Sequence, residues 1–178
     1  EVRQLEPNLQ QPIHRGLRFK GARHITNPQE LVSRMQKRFE ALGGTHLTNS
    51  VASCEADETG VTAQLCDGTE IRGGHLALTA GARSRQIKGT GAENLPLGTE
   101  RGYHILYRDA GDLVSRPVGW AEAGFYATPM AHGMRIAGTV EINAIDAAFN
   151  ANCTNYLKRK STEMFGDLGT PDDTWLGH

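Results

Sequence analysis

The segment from Asn27 to Leu42 carries a complete set of signals for a capped, amphipathic helix. Asn27 is a good N-cap, Pro28 suits the first helical position, and Glu30 lies where it can complete a capping box. Two glycines follow at 43–44, where glycine can adopt the left-handed backbone conformation that ends a helix. Apolar residues recur at spacings of three and four, which predicts one buried stripe formed by Leu31, Val32, Met35, Phe39 and Leu42.

A meander of short strands is predicted after this helix, over residues 46–56, 61–66 and 69–72. Asp67-Gly68 between the last two is a strong hairpin signal. The apolar run 75–79 predicts a further, buried strand. That run leads into Ala80-Gly81-Ala82, whose small side chains let another backbone or a ligand approach closely. Residues 85–98 are rich in glycine, charge and proline, which indicates a connector.

The second half alternates between strands and turns, with strands predicted over 99–108, 113–120, 124–130 and 133–141. In the last of these, one face carries Met134, Ile136, Gly138 and Val140, and the other carries Arg135, Ala137, Thr139 and Glu141. Such alternation is typical of an antiparallel sheet with one wetter side. A helix over 147–165 follows, ended by Gly166. The order of elements predicts an α+β fold.

Composition excludes several classes of protein. The formal net charge of −1 gives no nucleic-acid footprint. No apolar run approaches the ~20 residues that a membrane helix needs, so no transmembrane segment is predicted. Three cysteines form no C-x-x-C pair, and this odd count favours reduced thiols in the cytoplasm over a disulfide framework.

Motifs for catalysis by protein side chains are also missing. The seven histidines are scattered without H-E-x-x-H spacing, so no metal site is predicted, and no G-x-S-x-G elbow occurs. Gly89-Thr90-Gly91 opens like a dinucleotide fingerprint, but Asn94 stands where the third glycine belongs, which favours a linker. For the polar side chains of His104, Arg135 and Tyr126 in predicted strands, structural roles are favoured over binding. Composition and motif spacing alone therefore predict an α+β domain and no specific function.

Several segments, in a shared order along nearly all of the chain, resemble the D-amino-acid oxidase/dehydrogenase-like superfamily of FAD-dependent oxidoreductases. The stretch 76–84 is similar to the family's strand and turn beside the flavin, and 99–104 to the start of its substrate domain. Residues 125–129 and 135–141 resemble its paired sheet strands. The chain's last residues, 175–178, look like the beginning of a W-x-G-x-R-P motif.

The resemblance implies a division into domains. Residues 1–26 are expected to form the leading strands of the substrate domain, and 27–88 part of an FAD-binding domain with a helix, a β-meander and the flavin-proximal turn. Residues 95–178 are expected to form an antiparallel or mixed sheet and helix of the substrate-binding domain. Because the family's G-x-G-x-x-G turn and the arginine of W-x-G-x-R-P do not occur here, we expect an internal piece of such a protein, truncated at its C-terminus.

The activity that the resemblance implies is oxidation of a D-amino acid or related amine by hydride transfer to FAD. The piece alone is expected to be inactive, with FAD absent or weakly bound. Alternatives are a 2-hydroxy acid or sarcosine oxidase of the same superfamily, or a non-catalytic protein-interaction domain. Expected partners are a small-molecule substrate and, through surface exposed by truncation, a further copy of the chain. The expected location is cytoplasmic, with a membrane-peripheral position open to the intact enzyme.

Cofactor-binding residues are also implied by the resemblance. Val51 matches the strand position whose backbone meets the adenine end of FAD. Thr79, Ala80 and Gly81 match the turn near the pyrophosphate and ribityl chain, where small side chains leave room for a cofactor. Arg83 replaces the tryptophan often found in that turn.

Two substrate-binding residues complete the predicted site. Tyr126 matches a substrate-facing tyrosine of glycine-oxidase-like relatives, and His104 lies in the segment similar to the start of the substrate domain. No catalytic side chain and no metal is implied, because the flavin itself accepts the hydride.

Overall fold

A computed structural model describes residues 2–178, and these form two compact units. The sheet unit comprises the residues up to 33 together with 100–142 and 146–177. The meander unit comprises 34–99, 143–145 and 178. Helices combine with antiparallel sheets in the chain, which confirms the predicted α+β class.

The helices are α1 (Val2–Leu5), α2 (Pro28–Ala41) and α3 (Ala151–Phe165). The strands are β1 (Val51–Asp57), β2 (Gly60–Leu65), β3 (Glu70–Gly73), β4 (Glu100–Tyr107), β5 (Val118–Trp120), β6 (Phe125–Met130), β7 (Gly133–Ile142) and β8 (Asp173–Gly177). Within residues 2–178, none of the helices combines the length and apolar content needed to cross a membrane.

Helix α2 begins as the sequence predicts but does not bury its apolar stripe. The Asn27 side chain accepts a hydrogen bond from the backbone N–H of Glu30 at 3.0 Å, so the N-cap is confirmed. The predicted burial of the stripe is wrong, because its five side chains are 41–68% exposed. Capping and periodicity are local properties, whereas burial needs a partner surface, and the described residues bury no side chain of α2.

The meander is antiparallel in the order β1-β2-β3, and its second turn is the predicted Asp67-Gly68, with Gly68 at φ 88°. At the first turn, Asp57 accepts two hydrogen bonds from Arg72 at 2.9 and 3.0 Å. The Arg72 guanidinium, followed by the Thr59 hydroxyl, holds the pKa of Asp57 well below its usual range. This clasp between β1 and β3 is solvent-exposed, so its contribution to stability is small.

The prediction of a strand over 75–79 is wrong, since these residues form no β-ladder with any described strand. Most of the segment is exposed, with Leu76 at 45%, where the sequence predicted burial. A short apolar run becomes a strand only when a neighbour accepts its backbone hydrogen bonds, and such a neighbour cannot be read from the run itself.

The sheet unit contains a five-stranded antiparallel sheet in the order β5-β6-β7-β4-β8. Alternate residues of its strands form the core with α3, which packs on β4 and β7. The fully buried side chains include Ile105, Phe125, Met134, Ile136 and Leu157. We call this side the core face and the opposite side the open face.

A β-bulge in β7 changes the predicted alternation. Tyr103 pairs with Gly138 but Gly102 pairs with Val140, so Thr139 is the extra residue, at φ 59°. The bulge exchanges the two faces of the sheet for the three residues of β7 that follow it. Val140 is therefore 64% exposed on the open face, and Glu141 faces the core opposite Arg101. The predicted grouping of Val140 with Met134 and of Glu141 with Arg135 is wrong for this reason.

The leading strands predicted within residues 1–26 are also wrong for the described residues 2–26, which contain the short α1 and no strand. This segment is held by individual contacts in place of a ladder. Glu6 is 4% exposed and accepts hydrogen bonds from the backbone N–H and the hydroxyl of Ser115 at 3.0 and 2.7 Å. The Gln10 backbone N–H donates to the Met164 carbonyl at 2.8 Å. Prolines at 7 and 12 lack the N–H that a ladder would need.

Candidate functional site

A cavity of about 230 Å³ lies in the meander unit and is lined by Val51, Cys54, residues 76–80 and Ile87. Three of the four predicted cofactor-binding residues, Val51, Thr79 and Ala80, therefore line one cavity. The fourth, Gly81, follows directly at φ 56° as the first residue of a 3₁₀ turn, Gly81–Gln86.

The backbone of β1 explains why this cavity forms. The Cys54 N–H donates to the Lys88 carbonyl at 2.8 Å, and the Lys88 N–H donates to the Ala52 carbonyl at 3.2 Å. These bonds hold residues 87–89 beside β1. Gly89 has a φ of 78°, and a Cβ there would lie 2.0 Å from the Cys54 carbonyl oxygen, so only glycine permits this approach.

The lining of the cavity is suited to part of a cofactor such as FAD. All of its lining side chains are uncharged, and a Cβ added at Gly81 would meet nothing within 4 Å, so the space beside the turn is open. Its volume is below the roughly 300–1,000 Å³ typical of pockets that enclose a whole drug-sized ligand. The residues fit an apolar, ring-shaped portion of a dinucleotide, and no charged side chain in the cavity is available for its phosphates.

Tyr126 and His104, the predicted substrate-binding residues, lie in one row across the open face. Tyr126 pairs with Ala137 of β7, Ala137 pairs with His104 of β4, and His104 pairs with Trp175 of β8. Cross-strand partners share a face, and adjacent strands are about 4.8 Å apart, so the Tyr126 and His104 backbones are roughly 10 Å apart. Between them on β7 lies Ala137, whose side chain is a single methyl group.

The His104 ring is held in place by stacking. It lies 4.9 Å from the Trp175 ring, with 16° between the ring planes. Burial, and then the nearby Arg135 guanidinium, lower the pKa of His104, and the Asp173 carboxylate opposes them. The neutral imidazole, which offers one donor and one acceptor, is therefore favoured.

Tyr126 is 62% exposed, so its hydroxyl is accessible to a ligand. Its ring occupies the space that a side chain at Gly119 on β5 would fill, because a Cβ there would lie 2.6 Å from the ring. The absence of a side chain at Gly119 therefore helps to fix the position of the Tyr126 ring.

Arg135 belongs to this surface, although the sequence favoured a structural role for it. It lies two residues before Ala137 on the same face of β7, paired with Thr128 and Leu106. Its Nε is buried and has no hydrogen-bond partner. The i, i+2 spacing from Ala137 was visible in the sequence, but the strand order that brings Arg135 beside both Tyr126 and His104 was not.

A second, larger groove of about 870 Å³ lies elsewhere in the sheet unit, lined by the 24–26 segment, the turn 108–115 and the β6–β7 hairpin. His24 approaches the Pro129 carbonyl at 2.8 Å there. None of the predicted site residues lines this groove.

Sequence comparisons give the chain a family. The family model for DAO, described as FAD dependent oxidoreductase, matches residues 1–178. A curated D-amino-acid oxidase of Bradyrhizobium diazoefficiens is 28% identical over 185 residues, which cover 100% of this chain and 44% of that protein. The chain thus spans less than half the length of this relative.

Solved structures share the fold. A glycine oxidase from Geobacillus kaustophilus matches with a TM-score of 0.68 at 17% identity, over 83% of this chain and 40% of its own. NikD, an amino acid oxidase essential for nikkomycin biosynthesis, matches with a TM-score of 0.63 at 17% identity, over 82% of this chain and 42% of its own. At these identities the likeness is one of fold.

Proposed function

Since this chain belongs to the DAO family of FAD-dependent oxidoreductases, we propose that it forms part of an enzyme that oxidises a D-amino acid or a related amine. The observation that carries the proposal is the row of Tyr126, Ala137 and His104, which presents two polar rings around a small residue on an exposed sheet face. The curated relative's description as a D-amino-acid oxidase supports the substrate class.

FAD, held by Val51, Thr79, Ala80 and Gly81, would supply the acceptor for the hydride lost from the substrate carbon that bears the amine, which would become an iminium carbon. The work of the chain is to bind and orient the substrate. We propose that the Tyr126 hydroxyl donates a hydrogen bond to the substrate carboxylate, and that the neutral His104 ring offers a donor or acceptor to the amine. Ala137 leaves room for the substrate backbone between them.

We propose that Val51, Thr79, Ala80 and Gly81 contact the cofactor. Support comes from the cavity that the first three share and from the open space beside Gly81. The chain spans 44% of its relative and its cavity is small, so we expect the 178 residues alone to bind FAD weakly and to oxidise no substrate.

The test is a Tyr126→Phe substitution in the complete reading frame that contains this chain, purified with FAD. A lost hydrogen bond to a charged group corresponds to roughly 1.5–3 kcal/mol, so kcat/KM for D-amino acids should fall at least about tenfold, mainly through KM. Tyr156→Phe is the matched control, because that hydroxyl donates to the Ala123 carbonyl at 3.1 Å, away from the open face.

Substrates for this assay are D-amino acids, sarcosine, a 2-hydroxy acid and a simple amine. Turnover of D-amino acids that Tyr126→Phe impairs and Tyr156→Phe spares supports the proposal. A flavin that none of these substrates reduces would favour a non-catalytic interaction domain. Equal effects of the two substitutions would remove Tyr126 from the site.

For the isolated chain we also propose self-association through the exposed stripe of α2. Five apolar side chains along one helical face form the kind of contiguous surface that marks an interaction site.

A further inference from the structure

Three polar side chains surround Ala137 on the open face. Ala137 pairs directly with Tyr126 on one side and with His104 on the other. Arg135 lies two positions along the same strand, which makes it a diagonal neighbour of both, at roughly 7–8 Å. A ligand over Ala137 would therefore meet a phenol, an imidazole and a guanidinium.

The Arg135 side chain has unused hydrogen-bonding capacity. Its Nε is buried from solvent and has no acceptor. A half-buried cation without an ion-pair partner is unfavourable, and an anionic group of a ligand beside the guanidinium would offset its charge. Arg135 is also the only lysine or arginine at the paired open-face positions of β4 to β8 that the structure describes.

The nearby acidic groups that the structure describes on the open face do not pair with Arg135. Asp173 lies opposite Leu106, which separates it from Arg135 by the width of β4. Glu100 pairs with Ile142 at the other end of β4, six residues from Leu106. The described carboxylates of the open face thus leave the Arg135 Nε without an acceptor.

We propose that Arg135 binds the side-chain carboxylate of a dicarboxylic amino acid. The inference rests on the proposed function, in which Tyr126 receives the α-carboxylate. The two carboxylates of such a substrate are separated by two or three carbon atoms, which suits two donors at diagonal positions. The planar guanidinium can hold a carboxylate through two parallel hydrogen bonds.

Binding of D-glutamate, D-glutamine and D-alanine to the isotope-labelled 178-residue chain tests the inference by NMR. We expect D-glutamate to bind at least tenfold more tightly than D-glutamine and to shift the Arg135 Nε–H resonance. It should also raise the pKa of His104, because the bound anion offsets the Arg135 charge and adds to the effect of Asp173. A purely structural Arg135 would give equal affinities for D-glutamate and D-glutamine and no shift of its own Nε–H resonance.

Arg135→Met should remove the preference for D-glutamate over D-glutamine, and Arg135→Lys should retain part of that preference. Leu106→Met is the control at the neighbouring open-face position. If Arg135→Met does not fold, the ligand preference and the His104 titration of the unmodified chain decide the matter.

Equal affinities for D-glutamate and D-glutamine, with shifts at Tyr126, would overturn the role of Arg135 and leave the proposed function standing. If no amino acid shifts any open-face resonance, the role of Arg135 and the proposed open-face substrate site both fail.

Discussion

At the scale of single residues, Thr139 has the largest consequence for the open face. It is the only non-glycine with positive φ among residues 2–178. A β-branched residue is disfavoured there, and such strain is of order 1–3 kcal/mol. The resulting bulge turns Val140 toward the open face and Glu141 toward Arg101.

Thr139→Gly should therefore stabilise the chain by about 0.5–1 kcal/mol, since glycine relieves the strain but adds chain entropy to the unfolded state. The measurement is the free energy of unfolding in urea. Ala137→Gly in the regular part of β7 is the control and should destabilise by about 0.5–1 kcal/mol. A loss of stability at Thr139 equal to that at Ala137 would show that the bulge is unstrained.

The residue pattern correctly predicted those features that depend only on residues close together in the sequence. The Asn27 cap and the Asp67-Gly68 turn depend on neighbours within a few residues, and both formed as predicted. The bulge could not be predicted, because Thr139 gives no sign of positive φ and the bulge is set by pairing with β4. For Arg135 the sequence favoured a structural role for a related reason, since the neighbours that place it beside Tyr126 and His104 come from two other strands.

At the scale of elements, a buried charge cluster ties β4 and β7 to the segment before α3. Arg101 is fully buried and donates to the carbonyls of Ala147 and Ala148 at 2.7 and 3.1 Å. Its Nη1 lies 3.5 Å from Glu141, which accepts a hydrogen bond from the Tyr103 hydroxyl at 2.7 Å. Burial, and then this contact with Glu141, raise the pKa of Tyr103, so the phenol remains a neutral donor.

Glu141→Gln should destabilise the chain by about 3 kcal/mol, because it leaves the buried Arg101 charge uncompensated. Urea unfolding measures the change, and Glu122→Gln at an exposed position should alter stability by less than about 0.5 kcal/mol. Adding Arg101→Met to Glu141→Gln should recover part of the loss. If the double substitution is as unstable as the sum of both single ones, Arg101 and Glu141 are not coupled.

The type of element was predicted correctly where the periodic pattern was long. It was predicted wrongly where a segment's hydrogen-bonding partner is distant in the sequence. Strands β4, β6 and β7 match their predicted ranges closely, and helix α3 ends as predicted but begins at Ala151, four residues later than predicted. Residues 108–113 instead form a 3₁₀ turn, so β5 is confined to Val118–Trp120, shorter than predicted. The predicted strands at 75–79 and before residue 27 needed hydrogen-bonding partners that their own sequences do not specify.

At the scale of the whole molecule, the exposed stripe of α2 is the surface through which we propose that the isolated chain self-associates. Met35→Glu places a charge in the stripe and should shift the chain toward monomer in light scattering after size exclusion. Gln29→Glu adds the same charge outside the stripe and should leave the oligomeric state unchanged. A chain that is monomeric before any substitution would contradict self-association.

The family and the α+β class were both predictable from the sequence, because they depend on the order of segments along the chain. Which face of the five-stranded sheet is open was not, since this follows from strand order and from where α3 packs.

The most direct test of the account is a titration of FAD into the labelled 178-residue chain, followed by NMR. We predict weak binding that shifts the resonances of Val51, Cys54 and residues 76–81, and that Ala80→Leu abolishes by filling the cavity. Shifts confined to other residues, or none at saturating FAD, would contradict the proposal that Val51, Thr79, Ala80 and Gly81 contact FAD.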